Sequence, residues 1–195
     1  MNIEVIDSSN LKNRLEQIAG IHALAYSDDH FTSSFSLEKL IEYNLRLIEA
    51  STLSVVAMED DEVLGFIISG EKVSAGVSKF INENRGWLML QLLRSPRILF
   101  AKILAMIQAR FAPVQPSEAK FRLLTIAIKP GIQSKGVGKE MLYFFERELL
   151  KIGVSCYGLS VRNKNSRAIK FYERHNFIKE KEYIDASYYL KKIGK

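Results

Sequence analysis

The run Gln133, Ser134, Lys135, Gly136, Val137, Gly138, Lys139 is where residue type and spacing first suggest chemistry. Two glycines two positions apart let a backbone approach a ligand with no Cβ in the way. The run follows a continuous apolar stretch at 123–128. It precedes residues 139–151, whose Met141, Leu142, Phe145 and Leu149 recur at helical spacing. A strand, a glycine loop and a helix start aim unpaired N–H groups into the loop, where phosphate oxygens suit them. Lys135 and Lys139 add positive charge, so the chemistry favoured is holding a pyrophosphate. Neither familiar nucleotide loop fits. A P-loop alignment on Gly138-Lys139 puts Gln133 at the first glycine and Glu140 at the magnesium-binding hydroxyl. A dinucleotide fingerprint on Gly136-Val137-Gly138 meets Met141 where its third glycine belongs.

Other reactive residue types are few. The single cysteine, Cys156, excludes an internal disulfide and a cysteine-based zinc cluster. It lies in an apolar run, 154–161, and is expected to be a buried thiol and not a nucleophile. His22 falls on an apolar helix face and reads as core. His175 sits near a helix C-terminus, where an imidazole suits the dipole. His30 belongs to a polar loop, 26–34, beside Asp28 and Asp29.

The elements that must position these residues follow from periodicity. Ile3 and Val5 alternate in a short strand, and residues 10–25 read as helix. Ser36 caps a second helix, with Leu37, Leu40, Ile41, Leu45 and Ile48 on its buried stripe. Residues 53–58 and 63–69 form a hairpin whose turn is Asp60-Asp61, and Gly65 marks a bulge or a close packing site. Residues 76–119 read as an insertion, a helical hairpin with Trp87 in its first piece and a broad apolar face over 98–111. After the strand at 123–128 come a helix, a strand at 154–161, a helix at 163–175, and strands near 177–184 and 188–193. The expected fold is α/β on a mixed sheet, in one domain spanning 1–195.

Composition narrows the class. Of 195 residues, 47% are hydrophobic and 26% charged, which excludes bulk disorder. The net charge of +6 is unevenly distributed. Residues 1–75 hold 5 basic and 13 acidic side chains, and residues 120–195 hold 17 and 7. The N-terminus lacks the basic and apolar regions of a signal peptide, so a cytoplasmic location is expected. No clean apolar run of about 18 residues predicts a membrane span.

Two ordered motifs carry a resemblance. Residues 124–130 followed by Gln133 through Lys139 are similar to the acetyl-CoA-binding motif of the GCN5-related N-acetyltransferases (GNAT), a strand, a proline and [Q/R]-x-x-G-x-[G/A]. Val161, Asn165, Ala168, Phe171, Tyr172 and Phe177 resemble that family's second motif, with Asn176 where its glycine usually stands. The resemblance implies a mostly antiparallel mixed sheet with a splayed central parallel pair and flanking helices. It makes 76–119 an insertion between the third and fourth strands. It implies acetyl-CoA as acyl donor and an amine acceptor that attacks the thioester directly. Backbone groups of Ile126, Ala127 and Ile128 would meet the pantetheine arm. The N–H groups from Gln133 to Lys139 would hold the pyrophosphate, and Asn165 would touch the cofactor arm or cap its helix. Tyr172 would serve as proton donor to the leaving thiolate. The base is open among His30, which is the first choice, Asp28, Asp29 and Glu71.

The acceptor is expected to be a small-molecule amine, with an amino sugar of surface-polysaccharide biosynthesis as one form. A protein or peptide N-terminus and a non-catalytic acyl-CoA-binding module are the alternatives. Nucleic acid and metal are not expected as partners. The insertion has three readings: a lid or acceptor wall, a homodimer contact, or a membrane-surface helix through 86–112.

Overall fold

A computed structural model describes residues 1–7, 10–26, 32–94, 117–133 and 135–194. Its order is β1 (Asn2–Val5), α1 (Leu11–Ala25), α2 (Leu37–Glu49), β2 (Leu53–Glu59), β3 (Glu62–Gly70), α3 (Ser74–Glu83) and α4 (Arg85–Arg94). Then follow β4 (Phe121–Ile128), α5 (Val137–Lys151), β5 (Cys156–Arg162), α6 (Ser166–Arg174), β6 (Ile178–Glu182) and β7 (Ala186–Lys192). Among the described residues the strands form one seven-stranded sheet, ordered β1-β2-β3-β4-β5-β7-β6. Every pairing is antiparallel except β4 with β5. This is the expected mixed sheet with a central parallel pair.

Local choices in the sequence explain the framework. The Ser36 side chain accepts from the Lys39 N–H and starts α2. Asp60 and Asp61 both take positive φ in the tight turn between β2 and β3. Leu64 is an extra residue in β3, because Ala57 pairs with Gly65 while Met58 pairs with Val63. Gly65 beside it is both bulge-linked and close-packed: a Cβ there would lie 2.7 Å from the Ala127 carbonyl oxygen. Asn176, at φ 64, ends α6 in a left-handed turn. There the Phe177 N–H bonds the Tyr172 carbonyl and the Asn176 N–H bonds the Glu173 carbonyl.

The sheet buries a core on each face. One face packs Leu53, Val55, Ala57 and Ile67 against Met141, Leu142, Phe145 and Leu149 of α5 and Tyr172 of α6. The other packs Val56, Phe66 and Ile68 against Leu15, Ile18 and Ile21 of α1, Tyr43 and Leu47 of α2, and Phe80 of α3.

β4 contains the feature that makes the site. Ser69 pairs with Leu123, but Ile68 pairs with Thr125, so Leu124 is a bulge residue. The extra residue reverses the alternation of the strand. Phe121 and Leu123 face the α5 core, and so do Ile126 and Ile128, whereas Ala127 joins the core under α1 and α2. The bulge also ends the strand's partnership on its other edge. β4 and β5 pair only at Phe121 with Tyr157 and Arg122 with Gly158. Beyond that point they separate.

Helix α3 starts just before the segment 76–119 that the sequence reads as an insertion. Ser74 already starts a helix, and Trp87 packs against the α1–α2 face from α4. The second apolar piece, 98–111, lies outside the described residues. Cys156 is half-buried, not buried, because it is the first residue of β5 and lies just outside the buried run of Tyr157, Gly158 and Leu159.

Candidate active site

The gap between β4 and β5 continues into a cleft of about 520 Å³. Ile126, Ala127 and Ile128 form its floor, Gln133, Gly136, Gly138 and Lys139 its rim, and α6 its far wall. The α6 wall includes Asn165, Arg167, Phe171, Tyr172 and His175. Residues far apart in sequence are thus brought together as the two motifs require.

The rim is more selective than a seven-residue cradle. The Lys135 N–H bonds the Ile132 carbonyl at 3.3 Å and the Lys139 N–H bonds the Gly136 carbonyl at 2.9 Å. Among the described residues, the N–H groups of Gly136, Val137 and Gly138 have no backbone partner, as the first turn of a helix requires. Gly136 has φ 91, a left-handed conformation that strains any L side chain. The Val137 side chain turns inward and is buried. Lys135 is exposed and does not line the cleft, and Ser134 lies outside the described residues. Positive charge comes instead from Lys139, Arg167 and Arg174. Gln133 acts as a brace: its Nε2 donates to the Ile128 carbonyl at 3.3 Å, and its Oε1 accepts from Arg167 at 2.5 Å. Asn165 lines the cleft and also caps α6, accepting from the Ala168 N–H at 3.1 Å.

Tyr172 is 7% exposed and packs edge-on against Phe171 and Phe177. Burial, and then repulsion from Tyr26, hold its hydroxyl far above the usual phenol range. It therefore stays a neutral hydrogen-bond donor at any working pH. No Asp or Glu lines the cleft among the described residues. His30, Asp28 and Asp29 lie outside the described residues. Glu71 follows Gly70, which pairs with Arg122, at the opposite end of β4 from Ile126.

A polar cluster lies on the other side of the sheet. Asn44 Nδ2 donates to the Leu40 carbonyl at 2.7 Å, so Asn44 Oδ1 faces His22 Nδ1 at 3.2 Å. That bond network puts the imidazole proton on Nδ1 and leaves Nε2 to accept from Thr32 Oγ1 at 2.9 Å. Burial lowers the His22 pKa to about 4, opposed by the Asn44 bond, so the ring is neutral at pH 7. The Tyr26 ring packs on His22 with centroids 4.5 Å apart. Arg167 and Arg174 were not legible as site residues. The bulge at Leu124 has no signal in a continuous apolar run.

The acetyltransferase (GNAT) family model matches residues 15–177. The chain belongs to the GNAT acetyltransferase family. It is an N-acetyltransferase whose acyl donor is acetyl-CoA. No curated protein matches it in sequence. Solved structures share its fold at low identity. A PaiA N-acetyltransferase from Thermoplasma acidophilum, in complex with coenzyme A, has a TM-score of 0.56 and 20% identity, covering 98% of this chain and 99% of that one. A protein from Streptococcus mutans UA159 has 0.59 and 16%, covering 98% and 99%. An aminoglycoside 6'-acetyltransferase type Ii has 0.64 and 13%, covering 100% and 99%. The site fits the donor's chemistry: an open rim of N–H groups, three cations, and two lining glycines, with a Cβ at Gly138 lying 3.5 Å from Phe171 of the cleft wall. Among the described residues, no helix is long and apolar enough to cross a membrane, and no group of His, Cys, Asp and Glu could hold a metal ion.

Proposed function

We propose that this acetyltransferase modifies a primary amine of a small molecule by direct attack on the thioester. The observation that carries the reading is the buried phenol of Tyr172 at the cleft where β4 leaves β5. The amine nitrogen forms a bond to the acetyl carbon, the carbon–sulfur bond breaks, and the electron pair goes to sulfur. The nitrogen's proton goes to solvent. The chain's own contribution is positioning and charge stabilisation. The N–H groups of Gly136, Val137 and Gly138, with Lys139, Arg167 and Arg174, hold the pyrophosphate. Asn165 and the β4 backbone at Ile126 and Ala127 align the arm; the Ile128 carbonyl already accepts from Gln133.

Tyr172 supports departure of the thiolate by hydrogen bonding rather than by full proton transfer. An ordinary thiol has a pKa of about 8.5 and an ordinary phenol about 10. Burial widens that difference, so moving the Tyr172 proton onto sulfur is uphill. A donated hydrogen bond remains favourable. His30 remains the choice for a base, and a water relay would make a dedicated base unnecessary.

The test is free-thiol release from acetyl-CoA across primary amines that include amino sugars and peptide N-termini. Release with a small amine supports the reading. Release only with peptides moves the acceptor class. Absence of any acetyl-CoA-dependent thermal shift overturns it.

A further inference from the structure

The face of the sheet opposite α5 is open beside the gap. Phe121, Leu123, Tyr157, Leu159, Val161 and Tyr189 point into the α5 core. Alternation therefore turns Arg122 of β4, Gly158 and Ser160 of β5, and Tyr188 of β7 to the other face. Helices α1 and α2 cover β2 and β3 there, and among the described residues their core takes nothing from β5 or β7. Leu124 is 38% exposed although β4 is the central strand of seven, and Ser160 is exposed as well. The cleft reaches toward this face, because Ala25 at the end of α1 is part of its lining.

Arg122 lies on this face at the fork itself. It pairs with Gly158 in the last contact before β4 and β5 part. Its guanidinium fills the space above that glycine: a Cβ at Gly158 would lie 2.5 Å from Arg122 Nη1. The Tyr188 ring flanks it, 5.1 Å from the centroid. Nη1 donates to Ser117 Oγ at 3.0 Å. The Ser117 hydroxyl donates onward to Glu180 Oε2 at 2.7 Å, and Glu180 Oε1 accepts from the Glu118 N–H at 2.6 Å. Glu180 thus commits both oxygens to the chain at 117–118, with a hydroxyl between it and the guanidinium. Among the described residues the partners of Arg122 are one hydroxyl and one ring, and no carboxylate. Lys191, by contrast, is buried against the Glu146 carboxylate at 2.6 Å. A half-buried guanidinium with most of its N–H fork unanswered is costly unless an anion completes it.

We propose that Arg122, with Tyr188 beside it, binds an anionic group of the acceptor, so that the substrate is a small amine carrying a carboxylate or a phosphate. The proposal rests on the small-molecule amine reading above. Ile126 of the cleft floor lies further along β4, beyond the Leu124 bulge, so roughly 10 Å of strand separates it from Arg122. An acceptor that spans this distance has its amine and its anion a short chain or one ring apart. A planar guanidinium fork answers carboxylate and phosphate oxygens alike.

The test is thiol release from acetyl-CoA with two matched pairs of amines: aminohexanoate against aminohexanamide, and aminohexyl phosphate against aminohexanol. The charged member of at least one pair is expected to have a kcat/KM at least about tenfold higher, carried by KM, and the pair that shows it tells carboxylate from phosphate. Arg122→Gln is expected to narrow that ratio to within about twofold while the acetyl-CoA-dependent thermal shift persists. Equal kcat/KM within both pairs overturns the proposal. So does an Arg122→Gln loss shared equally by charged and neutral members, which a purely structural arginine would give. No turnover of any of the four amines, with the thermal shift present, overturns this acceptor class and leaves the acetyltransferase reading intact. Absence of that shift overturns the reading itself. Should Arg122→Gln fail to fold, Arg122→Lys keeps the charge and loses the fork. It is expected to retain part of the preference, and a loss shared equally by both members overturns the proposal.

Discussion

The two sides of the cleft are built on different principles. The side we assign to the donor is backbone: three N–H groups at the start of α5, a left-handed glycine and the edge of β4. The side toward α1 is side chains: His22, Asn44 and Thr32, fixed by mutual hydrogen bonds, with the Tyr26 ring packed on His22. A backbone site tolerates many side chains but forbids a few. A side-chain site can be redesigned one residue at a time, and the acceptor is where an acetyltransferase needs its own identity.

Substitutions on the two sides should differ in kind and size. Gly136→Asp is expected to have the largest effect. It forces an L residue to φ 91 and sets a carboxylate against a pyrophosphate, a juxtaposition that costs several kcal/mol. Calorimetry should show acetyl-CoA affinity falling by at least about a hundredfold, and the acetyl-CoA-dependent rise in Tm should vanish. Tyr172→Phe comes next. Loss of one donor to developing charge typically lowers kcat by about 10² to 10³. Steady-state kinetics should show that loss with acetyl-CoA affinity unchanged.

The third prediction concerns the other side and the fold. His22 is 2% exposed and titrates near 4 when folded, against 6.5 when free. The unfolded chain therefore binds the extra proton first, so stability is intact above about pH 6.5 and falls as pH drops toward 4. The loss is about 3 kcal/mol across that window. Chemical denaturation at pH 7 and pH 4.5 should show it, and His22→Gln should flatten the difference. The smallest effects lie in caps. Asn165→Ala removes a helix cap worth about 1 kcal/mol, and Asn176→Ala puts alanine at φ 64 for a penalty of about 1–2 kcal/mol. If Asn165→Ala weakens acetyl-CoA binding beyond its effect on Tm, its second role at the donor side is exposed.

The same contrast decides what the sequence disclosed. Glycine spacing, a strand end and a helix start are local, so Gly136, Gly138, Lys139 and the Asn165 cap could be read from short words. Asp60-Asp61 could be read as a turn, and Asn176 as a stand-in for glycine, from residue type alone. The polar cluster toward α1 is assembled from α1, α2 and the segment before α2, and no short word links His22 to Asn44 and Thr32. Lys135 and Arg167 show the limit even at the donor end. Charge near the loop in sequence pointed to Lys135, while packing of α6 supplied Arg167. His22 read as core because it lies on an apolar helix face; its place between Asn44 and Thr32 needed the tertiary structure.

The Leu124 bulge makes strand length as functional as strand composition. Because one surplus residue reverses which side chains face which core, deleting Leu124 would restore simple alternation. Ile126 and Ile128 would then face α1, and Thr125 and Ala127 would face α5. No residue type would be foreign to a strand, and no polar contact would be struck out directly. Yet the edge would regain its register with β5 and the gap would close. A loss of one codon at 124 is therefore expected to remove activity while leaving every lining side chain in the sequence.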